Sequence, residues 1–117
     1  MARLLVSTPN GRERINLTRR LILGRLRSSD LRLSDPEVSK EHCAIEPRDG
    51  SFFVRDLGSL NGTFLNGIRL EGEVRLRDGD AVFVGNAVLR FEDDERAEDS
   101  TPIESLPRRI APARRGR

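Results

Sequence analysis

A chain of 117 residues with a net charge of only +2 has room for one domain and a tail, and so small a charge does not call for nucleic acid as a partner. Its single cysteine, Cys43, excludes an intramolecular disulfide framework. The single histidine, His42, is its neighbour, and neighbours on a strand point to opposite faces, so the pair offers neither a structural zinc site nor a nucleophile with its base. The opening residues MARLLVSTPNGRERINL carry no long apolar region or cleavage pattern. No stretch approaches the length of a membrane span. The expectation is a soluble, cytoplasmic monomer without cofactor or metal, in which Asn16-Leu17-Thr18 and Asn61-Gly62-Thr63 match the glycosylation pattern by chance.

In chain order, short runs rich in Val, Ile, Leu and Phe predict strands near 2–7, 13–17, 20–24, 31–33, 42–47, 51–56, 63–65, 68–70, 74–77, 80–85 and 87–92. Leu31-Arg32-Leu33, Val74-Arg75-Leu76 and Ala87-Val88-Leu89-Arg90-Phe91 alternate with the period of a half-buried strand. Asn10-Gly11, Asp49-Gly50, Asn61-Gly62, Asn66-Gly67, Glu71-Gly72, Asp78-Gly79 and Gly85-Asn86 separate these runs. Asn-Gly and Asp-Gly pairs reach positive φ cheaply and so favour tight hairpins. No segment has sustained helical periodicity. The pattern predicts an all-β fold, a sandwich or barrel of about eleven strands.

Two loops, 25–30 and 34–41, are longer and more polar than a hairpin needs, and such loops on a rigid sandwich are where binding usually lives. After Phe91 the composition changes. Residues 92–104 hold seven acids and one arginine, and 105–117 hold five arginines and no acid. We therefore expect a domain over 1–92 and a disordered acidic-then-basic tail over 93–117. Within the tail, Thr101-Pro102 is a candidate regulatory phosphosite and Pro107–Arg117 a candidate nucleic-acid contact. The acids before that basic run and the lack of interleaved aromatic residues argue against the second.

Three motifs carry chemistry: Gly24-Arg25 at a strand end, Ser39-Lys40-Glu41-His42 leading into a strand, and Asp56-Leu57-Gly58-Ser59-Leu60-Asn61-Gly62-Thr63. A phosphate dianion needs cations, hydroxyl or backbone donors, and room for close approach. Arg25 supplies a fork of donors, Ser39 a hydroxyl and Lys40, the chain's only lysine, an ammonium. Asn61 supplies an amide able to grip a peptide backbone. Taken singly, Arg25 reads as a solvated arginine, Ser39 as a turn hydroxyl and Asn61-Gly62 as a tight turn.

Taken together, in this order and spacing, the motifs resemble the forkhead-associated family. Asp35-Pro36-Glu37-Val38 before Ser39, and Leu76-Arg77-Asp78-Gly79-Asp80 with Val82 and Gly85, extend the resemblance over residues 2–92. It implies a small stand-alone member of that family, a β-sandwich of about eleven strands holding a phosphothreonine peptide at the loops of one end. By position, Arg25 and Ser39 would contact the phosphate, with Lys40 as a second cation, and Asn61 would bond the peptide backbone. Gly24, His42 and Gly62 would shape the loops. Many members place threonine where Leu60 stands; its loss removes a hydroxyl worth ~1.5–3 kcal/mol, for which the candidate replacements are the Ser59 hydroxyl and an apolar wall formed by Leu60. In the family these loops also read the third residue after the phosphothreonine, and Glu37 there would disfavour an acid.

The function so implied is a non-enzymatic, phosphothreonine-dependent adaptor in Ser/Thr kinase signalling. Its partner would be a phosphothreonine-containing protein, such as a kinase or its substrate. The alternatives are a scaffold of the same fold with an inactive pocket, and nucleic-acid contact through the Arg-rich tail.

Overall fold

The structure, a computed structural model, describes residues 1–93; the expectations for the tail, for Thr101 and for 105–117 fall outside them. Eleven strands and no helix make up the described chain. They are β1 (Ala2–Thr8), β2 (Gly11–Asn16), β3 (Leu21–Gly24), β4 (Leu31–Arg32), β5 (Cys43–Arg48), β6 (Ser51–Asp56), β7 (Thr63–Leu65), β8 (Ile68–Arg69), β9 (Val74–Arg75), β10 (Ala81–Val84) and β11 (Ala87–Asp93). Every predicted strand is present, with ends displaced by a residue or two. The last strand runs on through Asp93, one residue past the expected domain edge.

The strands form two sheets, one in the order β2-β1-β11-β10-β7-β8 and the other β4-β3-β5-β6-β9. Alternation along the strands decides what lies between them. From the six-stranded sheet Leu4, Val6, Val82, Val84, Leu89 and Phe91 are buried, and from the five-stranded sheet Leu23, Cys43, Ile45 and Val54 are buried against them. The Phe52 and Phe91 rings meet at 6.0 Å with a 55° tilt, within the range of favourable aromatic pairs.

Pairings are antiparallel except β3 with β4. That short parallel pair is completed by a side chain: the Asp30 carboxylate accepts the Ile22 N–H at 2.8 Å. The register of β3, β5 and β6 fixes where the loops emerge. Leu23 lies opposite Cys43, and Cys43 opposite Asp56. In an antiparallel set the end of β3, the start of β5 and the end of β6 therefore share one edge of the sheet. The segments 25–30, 33–42 and 57–62 are gathered there by topology alone.

Candidate functional site

The first loop begins with a close approach. Gly24 is buried, and a Cβ there would lie 2.0 Å from the Lys40 carbonyl oxygen. Only glycine lets β3 run this near the second loop. The approach lets the Arg25 N–H donate to Ser39 O at 3.1 Å, while Arg25 Nε donates to Val38 O at 2.9 Å. The guanidinium is thus anchored by one nitrogen on an exposed residue, and no described residue accepts from its two terminal amino groups.

His42 is fully buried and joins the second and third loops. The Ser39 N–H donates to Nδ1 at 3.0 Å, so the proton of the neutral ring sits on Nε2, which donates to Gly62 O at 2.9 Å. Ser39 Oγ in turn accepts the Leu60 N–H at 3.0 Å. One serine thereby touches all three loops: its carbonyl holds Arg25, its N–H the histidine, its hydroxyl oxygen Leu60. The hydroxyl proton remains free to donate outward.

Asp56 organises the third loop from inside. Its carboxylate accepts the N–H groups of Gly58 and Ser59 at 2.9 and 2.8 Å, and the hydroxyls of Ser59 and Thr63 at 2.6 and 2.7 Å. Of the two parts weighed for Ser59, these bonds favour the one turned away from ligand. Its proton is committed to Asp56 and its oxygen accepts the Gly62 N–H at 2.9 Å, so it braces the turn. Leu60 is 84% exposed and meets the Ser39 hydroxyl through its backbone N–H. Asn61 is brought to the second loop: its Nδ2 donates to Glu37 O at 2.9 Å and to Glu37 Oε1 at 3.2 Å. Lys40 is exposed, and no carboxylate among the described residues pairs with it. Gly62, at φ +91°, closes the turn in a conformation that suits glycine.

Sequence reasoning gave Asp56 no role. The signal was present as Asp-x-x-Ser, a carboxylate placed to cap the turn that follows it. Burial pushes the Asp56 carboxyl up, but the bonds it accepts from Ser59, Thr63 and Gly58 more than offset that and hold it below 3.8. A carboxyl lowered on folding contributes stability that is present above its unfolded value and lost as pH falls through the folded one. We expect stability to drop below about pH 4. Asp56→Asn should cost about 1–2 kcal/mol at neutral pH and flatten that acid limb, as urea midpoints across pH would record.

The remaining reactive groups are committed elsewhere. Cys43 is buried, and desolvation pushes its thiol up to about 12; with so little thiolate at neutral pH it is a poor nucleophile. Both ring nitrogens of His42 are occupied by backbone. No group of three or more His, Cys, Asp or Glu able to hold a metal ion occurs among the described residues. Among them, too, no helix is long and apolar enough to cross a membrane.

A family model described as FHA domain matches residues 21–85. Proliferation marker protein Ki-67 of Mus musculus is 35% identical over 83 residues, covering 71% of this chain and 3% of that protein. The oxoglutarate dehydrogenase inhibitor of Corynebacterium diphtheriae is 45% identical over 74 residues, covering 63% of this chain and 51% of its own. The chain therefore spans about half or less of the length of these relatives. A solved structure from work on phosphothreonine-dependent FHA domain interactions superposes with a TM-score of 0.71 at 28% identity, covering 79% of this chain and 95% of that one.

Proposed function

Because this chain belongs to the FHA, or forkhead-associated, family, we propose that it is a non-enzymatic adaptor that binds phosphothreonine in a partner protein within Ser/Thr kinase signalling. The observation that carries this reading is Ser39. Its three contacts draw Arg25, Leu60 and the His42 brace onto one edge while its own O–H stays unspent. Arg25, whose Nε is held by the neighbouring Val38 O, and Lys40, the next residue along the chain, would bring a fork and an ammonium to it. A dianion placed there meets a fork, a hydroxyl and a point charge, each forming a charge-assisted hydrogen bond. Asn61, next to Leu60, is in reach of the backbone that carries the phosphothreonine. The partner is a cytoplasmic protein phosphorylated on threonine, a kinase or its substrate, met by one copy of this chain.

A second reading, a scaffold that binds irrespective of phosphorylation, draws on two observations. Leu60 stands in place of a hydroxyl, and the outer face of the six-stranded sheet carries Phe83, 38% exposed, opposite Phe64.

Matched peptides carrying Thr, phosphoserine and phosphothreonine, titrated calorimetrically, decide between them. The first reading expects at least ~100-fold preference for phosphothreonine over Thr, as befits two or more charge-assisted bonds. It also expects a smaller preference over phosphoserine, from apolar contact of the threonine methyl with Leu60. Equal affinity for Thr and phosphothreonine would leave the scaffold reading standing.

A further inference from the structure

Arg69, on β8, lies flat against the recognition turn. A Cβ on Gly62 would sit 2.8 Å from Arg69 Nε, 2.9 Å from Cζ and 3.2 Å from Nη2. The guanidinium thus occupies the space that glycine leaves open, on the residue that follows the proposed backbone grip of Asn61. The placement comes from the β7–β8 pairing, which sets Phe64 opposite Arg69 and leans the arginine back over the start of β7.

Its charge is unspent. Arg3, Arg19, Arg48 and Arg55 each pair with a carboxylate, and Arg25 gives Nε to Val38 O. Arg69 is exposed, and no carboxylate or carbonyl among the described residues accepts its N–H groups. An arginine with one face packed on backbone and its edge donors free has already lost much of the entropy that a waving side chain would lose on binding. Its place against Gly62 is one residue away from Asn61, a contact proposed above for the phosphothreonine peptide.

We propose that Arg69 reads an acidic side chain of the bound peptide, close to the phosphothreonine, and so sets sequence preference beyond the phosphate. This rests on the phosphothreonine reading above. The carboxylate lies within about three residues of the phosphothreonine, the reach of an extended chain across one turn. Glu37, bonded to Asn61, supplies the opposite bias at its own position. Acids are therefore discriminated by place: disfavoured near Glu37 and favoured near Arg69.

The test uses the full chain and phosphothreonine peptides in a neutral background, with a single Asp moved through each flanking position. A companion set replaces that Asp with a second phosphoserine. The readout is the affinity ratio of each peptide to the neutral one, for wild type, Arg69→Gln and Arg69→Lys. Wild type is expected to favour Asp at one position by about 3- to 5-fold, an effect that shrinks with salt. Arg69→Gln should bring that ratio to one, and Arg69→Lys should keep part of it. A flat Asp scan, a preference that survives in Arg69→Gln, or an Arg69-dependent gain confined to the second phosphate overturns the assignment. Failure of the underlying reading would look different, because the neutral phosphothreonine peptide would then bind no better than its unphosphorylated form.

Discussion

Arg25→Ala is expected to weaken binding of a phosphothreonine peptide by at least ~100-fold while leaving the fold in place. The guanidinium is a forked donor anchored beside Ser39 through Val38 O, and two charge-assisted bonds to one phosphate account for that loss. The cost to the fold is small. Arg25 is exposed, its backbone N–H to Ser39 O survives the change, and only the 2.9 Å bond from Nε to Val38 O is given up, about 1 kcal/mol. Arg25→Lys separates charge from geometry: it keeps the cation but loses the fork, and an intermediate loss of roughly 10-fold is expected. Calorimetry gives the affinities, and thermal unfolding checks that the sandwich persists. Unchanged affinity in Arg25→Ala would remove the guanidinium from the site and the proposed function with it.

One residue earlier the expectation reverses. Gly24→Ala should leave no charge out of place and still cost ~3 kcal/mol or more, lowering the melting temperature by roughly 10–25 °C. The added Cβ would lie 2.0 Å from Lys40 O, 2.8 Å from Lys40 C and 3.0 Å from Glu41 Cα. All three are backbone atoms, so no side chain can swing aside. Either β3 parts from the Ser39 loop or that loop moves outward with Ser39 and Lys40. Gly72→Ala is the matched control, since nothing lies within 4 Å of a Cβ there and its φ is ordinary; it should change stability by no more than about 0.5 kcal/mol. A melting temperature for Gly24→Ala equal to that of Gly72→Ala would contradict the close approach.

The strands were legible because this sequence punctuates itself. Asn66-Gly67 and Asp49-Gly50 each place a residue at positive φ on both sides of the peptide, so hairpin corners could be located without tertiary information. The alternation in β11 then assigned Leu89 and Phe91 to the core. Ends were less legible: β8 and β9 shrink to two residues each, because pairing partners, which a single run of sequence cannot reveal, decide where a ladder stops. In the site, Gly24, Arg25, Ser39, His42 and Asn61 could be singled out from order and spacing. Ser59 was weighed as a replacement hydroxyl, but its proton goes to Asp56, and the Asp-x-x-Ser spacing is the sequence signal for that bond. Arg69 was not picked out at all. Its contact with Gly62 runs diagonally across a hairpin, and in the sequence it is one exposed arginine among many.

The bond between Asn61 and Glu37 bears on how the proposed adaptor would tell phosphorylated from unphosphorylated peptide. In the free protein the amide already spends its donors on the Glu37 carbonyl and carboxylate, so an arriving peptide does not find an empty grip. It enters an exchange, one acceptor leaving as another takes its place, and such swaps are close to neutral in free energy. An unmodified threonine peptide therefore has almost nothing to gain from the backbone contact that would orient it. The phosphate brings a term with no resident competitor among the described residues. On this account the protein stays silent towards the large pool of unphosphorylated chains in a cell, not by repelling them but by holding a substitute for them in place.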